Sequence, residues 1–258
     1  MMPNDSLYSI YLVWLRYFKV FRRSIIYGLV TGFSEPILYL LSFGFGLSNL
    51  IGNLNIDGID VTYRQFIFSG IVAQTVMFQG FFEAAYGSFI RMYYQKVFQA
   101  VAVTPITLSE ILWGELLWDS SKATFSVSIV LLIGCLSGNF SILGSILCLP
   151  FCFIFASIFS ALGLLVASKA KTIEEISYPQ YLFIFPMFLF CGIFYPLNTL
   201  PKIVEQISWI FPLTSVVSLI RSFILGFPIN YMAIVMVIVW FIILIPLSRK
   251  AMISRLIK

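Results

Sequence analysis

Charged residues are so sparse along this chain that they divide it into long apolar runs. The charge-free intervals are 36–56, 65–82, 123–168, 176–201, 206–220 and 222–248. A charge at the middle of a bilayer costs at least about 2.5 kcal/mol on insertion scales, so these intervals mark where the chain can cross. The 46-residue run 123–168 would extend about 69 Å as one helix, more than twice the hydrocarbon thickness, and must turn. Gly134-Cys135-Leu136-Ser137-Gly138-Asn139 supplies small and polar turn residues. The pattern predicts six spans, at about 24–47, 64–88, 109–133, 141–167, 177–196 and 230–247. The run 206–220 is too short to span and is bounded by Pro201, Pro212 and Arg221. It reads as a re-entrant or interfacial element, whose irregular backbone must be satisfied by protein or water.

Residues 5–23 are too basic on one side to span. Tyr11, Trp14, Tyr17 and Phe18 are interleaved with Arg16, Lys19 and Arg23, the pattern of a basic amphipathic helix lying in the interface. This helix either anchors the topology or grips a partner. A cleaved signal peptide is not expected, because no small-residue cleavage pattern lies near the first apolar run. Basic residues in short loops then orient the chain. Arg16, Lys19, Arg22, Arg23, Arg91, Lys96, Lys169, Lys171, Arg249, Lys250, Arg255 and Lys258 fall on one side; Arg64, Lys202 and Arg221 fall on the other. Both termini are expected in the cytoplasm.

Composition agrees. Of 258 residues, 60% are hydrophobic and 10% charged, against about 25% charged in an ordinary soluble domain. A soluble enzyme is excluded. Six spans of about 20 residues leave no room for a separate large soluble domain, so the reading is one membrane domain over 1–258, and a bulky catalytic partner would be another chain. The net charge of +5 is mostly a topology signal and does not argue for nucleic acid. There is no histidine, hence no imidazole acid–base chemistry and no histidine metal site. Four cysteines, at 135, 148, 152 and 191, suggest neither a disulfide framework nor a metal site. No phosphate-binding loop is present, so no cofactor is expected in this chain.

Candidate chemistry therefore rests on charges at membrane depth: Glu35, Glu83, Glu115, Asp119 and Lys122, where unpaired charge is costly and usually marks function. Glu115, Asp119 and Lys122 stand at i, i+4 and i+7, on one stripe of the third helix. Asp119 and Lys122 are expected to pair directly. Structural pairing, a polar translocation surface and a proton relay all remain open. Glu35-Pro36 should kink the first helix, and Ser24, Gly28 and Gly32 form a small-residue face suited to close packing. Between spans two and three, the segment 89–105 reads as a short amphipathic helix broken by Pro105, with Thr107 or Ser109 capping the next helix.

In order along the chain come Glu35-Pro36-Ile37-Leu38-Tyr39-Leu40 with Gly44-Phe45-Gly46-Leu47, Phe82-Glu83-Ala84-Ala85-Tyr86, Phe89-Ile90-Arg91-Met92, Thr104-Pro105-Ile106-Thr107-Leu108-Ser109-Glu110 and Gly114-Glu115-Leu116-Leu117-Trp118. Pro186 to Gly192, Tyr195-Pro196-Leu197, Leu200-Pro201, Pro212-Leu213 and Leu219-Ile220-Arg221 follow. Each piece is short, but the ordered set resembles the permease subunit of type-2 ABC exporters, nearest the nodulation-factor exporter branch.

That resemblance implies an all-α, six-helix permease half. Two copies would pair, as a homodimer, with two cytoplasmic ABC ATPase subunits that bind ATP and Mg, among membrane lipids. It implies a coupling helix at about 90–103, with Arg91, Tyr94, Lys96, Phe98, Thr104 and Pro105 at the ATPase. It also implies short re-entrant helices on the extracytoplasmic side around Pro196, Pro201, Pro212, Ser215 and Arg221. The cargo implied is an amphiphile such as a lipo-oligosaccharide or lipid-linked glycan. One departure is local: the branch pattern reads Pro-Leu-x-His, and Ser215 stands at the histidine position, so no titrating imidazole is available there. A drug exporter permease, an ion-coupled secondary transporter and a membrane scaffold are the competing functions.

Overall fold

The computed structural model describes residues 3–56 and 58–256. Helix α1 (Pro3–Arg23) ends at Ser24 and is followed by α2 (Ile25–Tyr39), which contains Pro36. A π-helical stretch, Leu40–Leu47, continues α2 into α3 (Ser48–Ile51). The chain then forms a small antiparallel hairpin, β1 (Asn53–Ile56) with β2 (Ile59–Thr62), pairing Asn53 with Thr62 and Ile56 with Ile59. The spans predicted above leave this stretch as a plain connection. Alternating Leu54, Ile56, Ile59 and Val61 around Asp57-Gly58 is the signal that marks a hairpin.

Thr62 caps α4 (Tyr63–Phe82) through a reciprocal capping box with Gln65. A π-helical turn, Glu83–Gly87, carries α4 into α5 (Ser88–Tyr93), and Lys96, at φ 52°, turns the chain into α6 (Val97–Ala102). A second capping box, Thr107 with Glu110, starts α7 (Leu108–Leu136), so Thr107 is the cap. After a turn through Gly138 (φ 70°), Ser141 caps α8 (Ile142–Lys169). The turn falls in the 134–139 cluster, as the sequence requires.

Thr172 caps α9 (Ile173–Pro179), and a π-helical stretch, Gln180–Ile184, leads into α10 (Phe185–Phe190). Helix therefore stops at Phe190, six residues before the predicted end of the fifth span, and Gly192 (φ 78°) turns the backbone. A 3-10 turn (Leu197–Thr199) precedes α11 (Lys202–Ile210) and α12 (Pro212–Leu225), and α13 (Tyr231–Leu256) closes the chain.

Among the described residues, four helical segments, 63–93, α7, α8 and α13, are long and apolar enough to cross a membrane. The pair α11 and α12, bent by 89°, makes a fifth if counted as one. The stretches 25–51 and 173–190 lie where the first and fifth of the six expected spans fall, each interrupted by π-helix. The molecule is an all-α polytopic membrane protein. In their most apolar windows, 83% of the 63–93 rod is buried but only 28% of α13, so the rod is the central element and α13 lies at the periphery. Glycines set the close approaches: a Cβ at Gly163 of α8 would meet Phe81 O at 2.6 Å, and one at Gly80 of α4 would meet Ala156 O at 2.9 Å.

Candidate functional site: a buried ion network under an amphipathic helix

The spacing of Glu115, Asp119 and Lys122 on α7 puts all three on one face, and that face meets the π-turn region of the central rod. The turn explains why the rod matches it. In a regular helix, Glu83 and Arg91 are eight positions apart and point about 80° away from each other. The extra residue of a π-turn brings them to within roughly 20° of alignment. Gly87 lies between them, and a Cβ there would be 3.1 Å from Arg91 Nη1 and 3.2 Å from Glu83 Oε1, so the side chains run past each other over a position without one.

Arg91 is the hub. Its Nη1 donates to Glu83 Oε1 at 2.9 Å, its Nε to Glu115 Oε1 at 2.7 Å and its Nη2 to Asp119 Oδ1 at 3.0 Å. Ser88 Oγ donates to Glu115 Oε1 at 2.6 Å. Lys122 Nζ donates to Glu83 Oε2 at 2.5 Å. The direct Asp119–Lys122 pair expected from local spacing is replaced by these contacts. Asp119 turns to the arginine of a neighbouring helix, which offers a planar fork of donors, and Lys122 reaches across to Glu83. Three carboxylates face two cations, and Glu115 and Asp119 are fully buried. Glu115 Oε2 and Asp119 Oδ2 have no hydrogen-bond partner among the described residues. Glu35, on α2, has no part in this network.

Helix α1 covers the network. Its Val13 and Tyr17 are buried, and a Cβ at Gly114 of α7 would meet Val13 at 2.6 Å. Of the aromatic residues predicted to rest in the interface, Tyr17 is buried against protein and Trp14 partly so, whereas Tyr11 and Phe18 are exposed. Trp14 Nε1 donates to Ser121 Oγ at 3.0 Å. The Tyr17 ring lies 5.0 Å from the Arg91 guanidinium and 6.1 Å from the Trp118 ring, and Phe21 packs edge-on to Trp118 at 5.6 Å. Burial, and next the Glu115 carboxylate, hold the Tyr17 phenol above the usual tyrosine range, so it stays neutral. A cavity of about 290 Å³ opens between α1 and the network, lined by Arg16, Tyr17, Glu83, Arg91, Trp118 and Lys122.

Immediately after the network the rod ends. The single helix expected at about 90–103 is two pieces, because Lys96 adopts a left-handed conformation between α5 and α6. Tyr94 is 67% exposed and Lys96, Thr104 and Pro105 are also exposed, whereas the Phe98 ring is fully buried and roots α6 in the core. Arg91 likewise turns inward, so of the expected partner-facing residues the turn presents Tyr94 and Lys96. Arg255 of α13 ties the same end together, donating to Ser168 O at 2.6 Å and to the Tyr93 hydroxyl.

At the opposite end of the rod, α11 and α12 meet at Phe211. Pro196 precedes the 3-10 turn, Pro201 the start of α11, and Pro212 opens α12, where a missing N–H costs nothing. Ser215 is fully buried with its hydroxyl unpartnered among the described residues. Arg221 is buried and donates from Nη2 to Gly192 O at 2.8 Å and from Nε to Ser69 Oγ at 3.3 Å.

Local helical periodicity brings neither Arg91 and Ser88 into the network nor Tyr17 and Phe21 over it. Only the recurrence of a second charge eight residues after Glu83 hinted at the first, and regular helical spacing argues against that pairing.

Comparison with known proteins places this geometry in context. The family described as ABC-2 type transporter matches residues 8–225. Nodulation protein J of Sinorhizobium fredii (strain NGR234) is 30% identical over 216 residues, covering 84% of this chain and 81% of that protein. Nodulation protein J of Rhizobium leguminosarum bv. viciae is 30% identical over 217 residues, covering 84% and 82%. The inner membrane transport permease YadH of Escherichia coli (strain K12) is 27% identical over 214 residues, covering 83% and 82%.

Proposed function

The chain belongs to the ABC-2 type transporter family, and from that premise we propose that it is the permease subunit of an exporter energised by a separate cytoplasmic ABC ATPase. The observation that carries the mechanical part is the position of Arg91. It sits three residues before the exposed Tyr94–Lys96 turn and binds Glu83 on its own rod and Glu115 and Asp119 on α7. A push on the turn is thereby delivered to two membrane helices at once, through a buried network whose charges cannot separate without a large penalty. Helix α1, stacked over the network, moves with it.

In this reading the Tyr94–Lys96 turn and α6 dock on the ATPase, which binds ATP and Mg. Two copies of the chain form a homodimer in a two-plus-two complex. Both termini lie in the cytoplasm, consistent with the gathering of Arg91, Arg249 and Arg255 at one end of the bundle, where Arg249 lies over Trp113 at 6.0 Å. The α11–α12 pair is the extracytoplasmic re-entrant element. The cargo is an amphiphile of the lipo-oligosaccharide or lipid-linked glycan class, a reading supported by the likeness to Nodulation protein J. Glu35, outside the ion network and half-buried on α2, is a polar group available to such a cargo.

Site-directed cross-linking tests the docking. With Lys96→Cys in an otherwise cysteine-free chain, a bifunctional reagent should join the chain to the ATPase. The same reagent at Asn139→Cys, in the turn between α7 and α8 at the other end of α7, should not. Equal cross-linking at both positions, or none at Lys96→Cys, contradicts the docking.

A further inference from the structure

Among the described residues, Arg221 has no carboxylate partner. Its side chain is 93% removed from solvent, at 7% relative exposure, and sits 3.7 Å from the centre of the Phe66 ring. The acceptors around it, Gly192 O, Ile193 O and Ser69 Oγ, are all neutral. Burying a cation without a counter-charge is costly, and neutral acceptors with an aromatic face recover only part of that cost.

Arg221 lines a cavity of about 420 Å³ shared by α11, α12 and the loop before α13, with Asn198, Glu205, Trp209, Ser218 and Asn230 on its walls. Glu205 is its acid, yet among the described residues it makes no ion pair with Arg221. One cavity thus holds a buried fork of donors, a separate carboxylate, amide and hydroxyl groups, and aromatic walls. Phe66 and Arg91 are 25 residues apart on one rod, about 37 Å along the axis, so this cavity is at the far end of the molecule from the ion network.

We infer that this cavity is a binding site for a zwitterionic phosphodiester headgroup, its phosphate on Arg221 and its ammonium on Glu205. Arginine matches a phosphate with two parallel donors, and an anion would supply the counter-charge that Arg221 lacks. The carboxylate selects for a headgroup carrying an amine. This site does not rest on the exporter reading, and its test needs neither ATP nor transport.

The test is a thermal-unfolding titration of the full chain in dodecyl maltoside with short-chain dihexanoyl phosphatidylethanolamine, dihexanoyl phosphatidylglycerol or inorganic phosphate. The ethanolamine lipid should raise Tm saturably, half-saturating at least fivefold below the glycerol lipid. Ser218→Phe fills the cavity one turn from Arg221 without touching the contacts of its guanidinium, and should weaken the response at least tenfold while leaving the lipid-free Tm within a few degrees. Glu205→Gln should abolish the preference for the ethanolamine lipid. An undiminished response in Ser218→Phe, equal responses to the two lipids, no saturable response, or an equal response to inorganic phosphate at the same concentration would each overturn the headgroup site. Should Ser218→Phe fail to fold, Asn198→Trp, on the exposed wall, serves the same comparison.

Discussion

Arg91 Nη2 lies 3.0 Å from Asp119 Oδ1, so the last turn of the central rod is bonded to α7 through a fully buried carboxylate. The helix carrying the exposed turn is thereby tied directly to α7. The energetics are asymmetric: breaking a buried pair from one side strands the other charge and costs about 3–5 kcal/mol, more than the intact pair contributes.

Arg91→Leu should accordingly be the most damaging substitution in the network, because it strands Glu115 and Asp119 together and leaves Glu83 only its bond to Lys122. A loss of at least about 3–5 kcal/mol is expected, read as a fall in Tm and in yield of monodisperse protein in detergent. Asp119→Asn, which keeps the shape and an acceptor, should cost clearly less than Asp119→Leu.

Lys122→Met should be milder than Arg91→Leu, since Glu83 keeps its 2.9 Å bond to Arg91 and Lys122 is partly exposed. The pair can be isolated by a double-mutant cycle: the losses for Glu83→Gln and Lys122→Met should fall short of additivity by about 0.5–3 kcal/mol. Additive losses would mean that the two groups act independently.

Gly87 leaves room for the Arg91–Glu83 pair. Gly87→Ala places a methyl group within 3.1–3.3 Å of both side chains and should lower Tm by a few degrees. Gly87→Leu should disrupt the network as severely as the loss of Arg91, and reversal of that order would show that the gap is incidental.

The cover by α1 is tested at Trp14. Trp14→Phe removes the bond to Ser121 Oγ but keeps the ring stack on Phe18, 5.4 Å away, and should cost about 1 kcal/mol. Faster proteolysis within residues 3–23, with α7 and α8 still protected, is the accompanying readout. Unchanged proteolysis would mean that α1 is held by its other contacts.

Much of the fold is legible in the sequence because charge is costly at membrane depth: the long helices α7, α8 and α13 start within a residue of their predicted positions. The need for a turn between α7 and α8 follows from length, and the small and polar residues Gly134–Asn139 place it. Local periodicity is blind to register shifts. The π-turn at Glu83–Gly87 changes which residues share a face, so Arg91 is misassigned to the surface. The Asp119–Lys122 pairing fails for a related reason: spacing along one helix says nothing of a stronger partner on the next. The buried Arg221 cavity depends on contacts between segments more than a hundred residues apart, such as Arg221 with Ser69.

Reconstitution decides the central reading most directly. The chain is placed in proteoliposomes with and without its ABC ATPase, and movement of a fluorescent lipid-linked glycan is followed under either ATP or a proton gradient. Transport that requires both ATPase and ATP, falls at least tenfold with Lys96→Glu at the docking turn, and is indifferent to the gradient is the predicted result. Transport by the chain alone, driven by the proton gradient and lost with Asp119→Asn, would contradict it and make the excess carboxylate of the buried network a proton carrier.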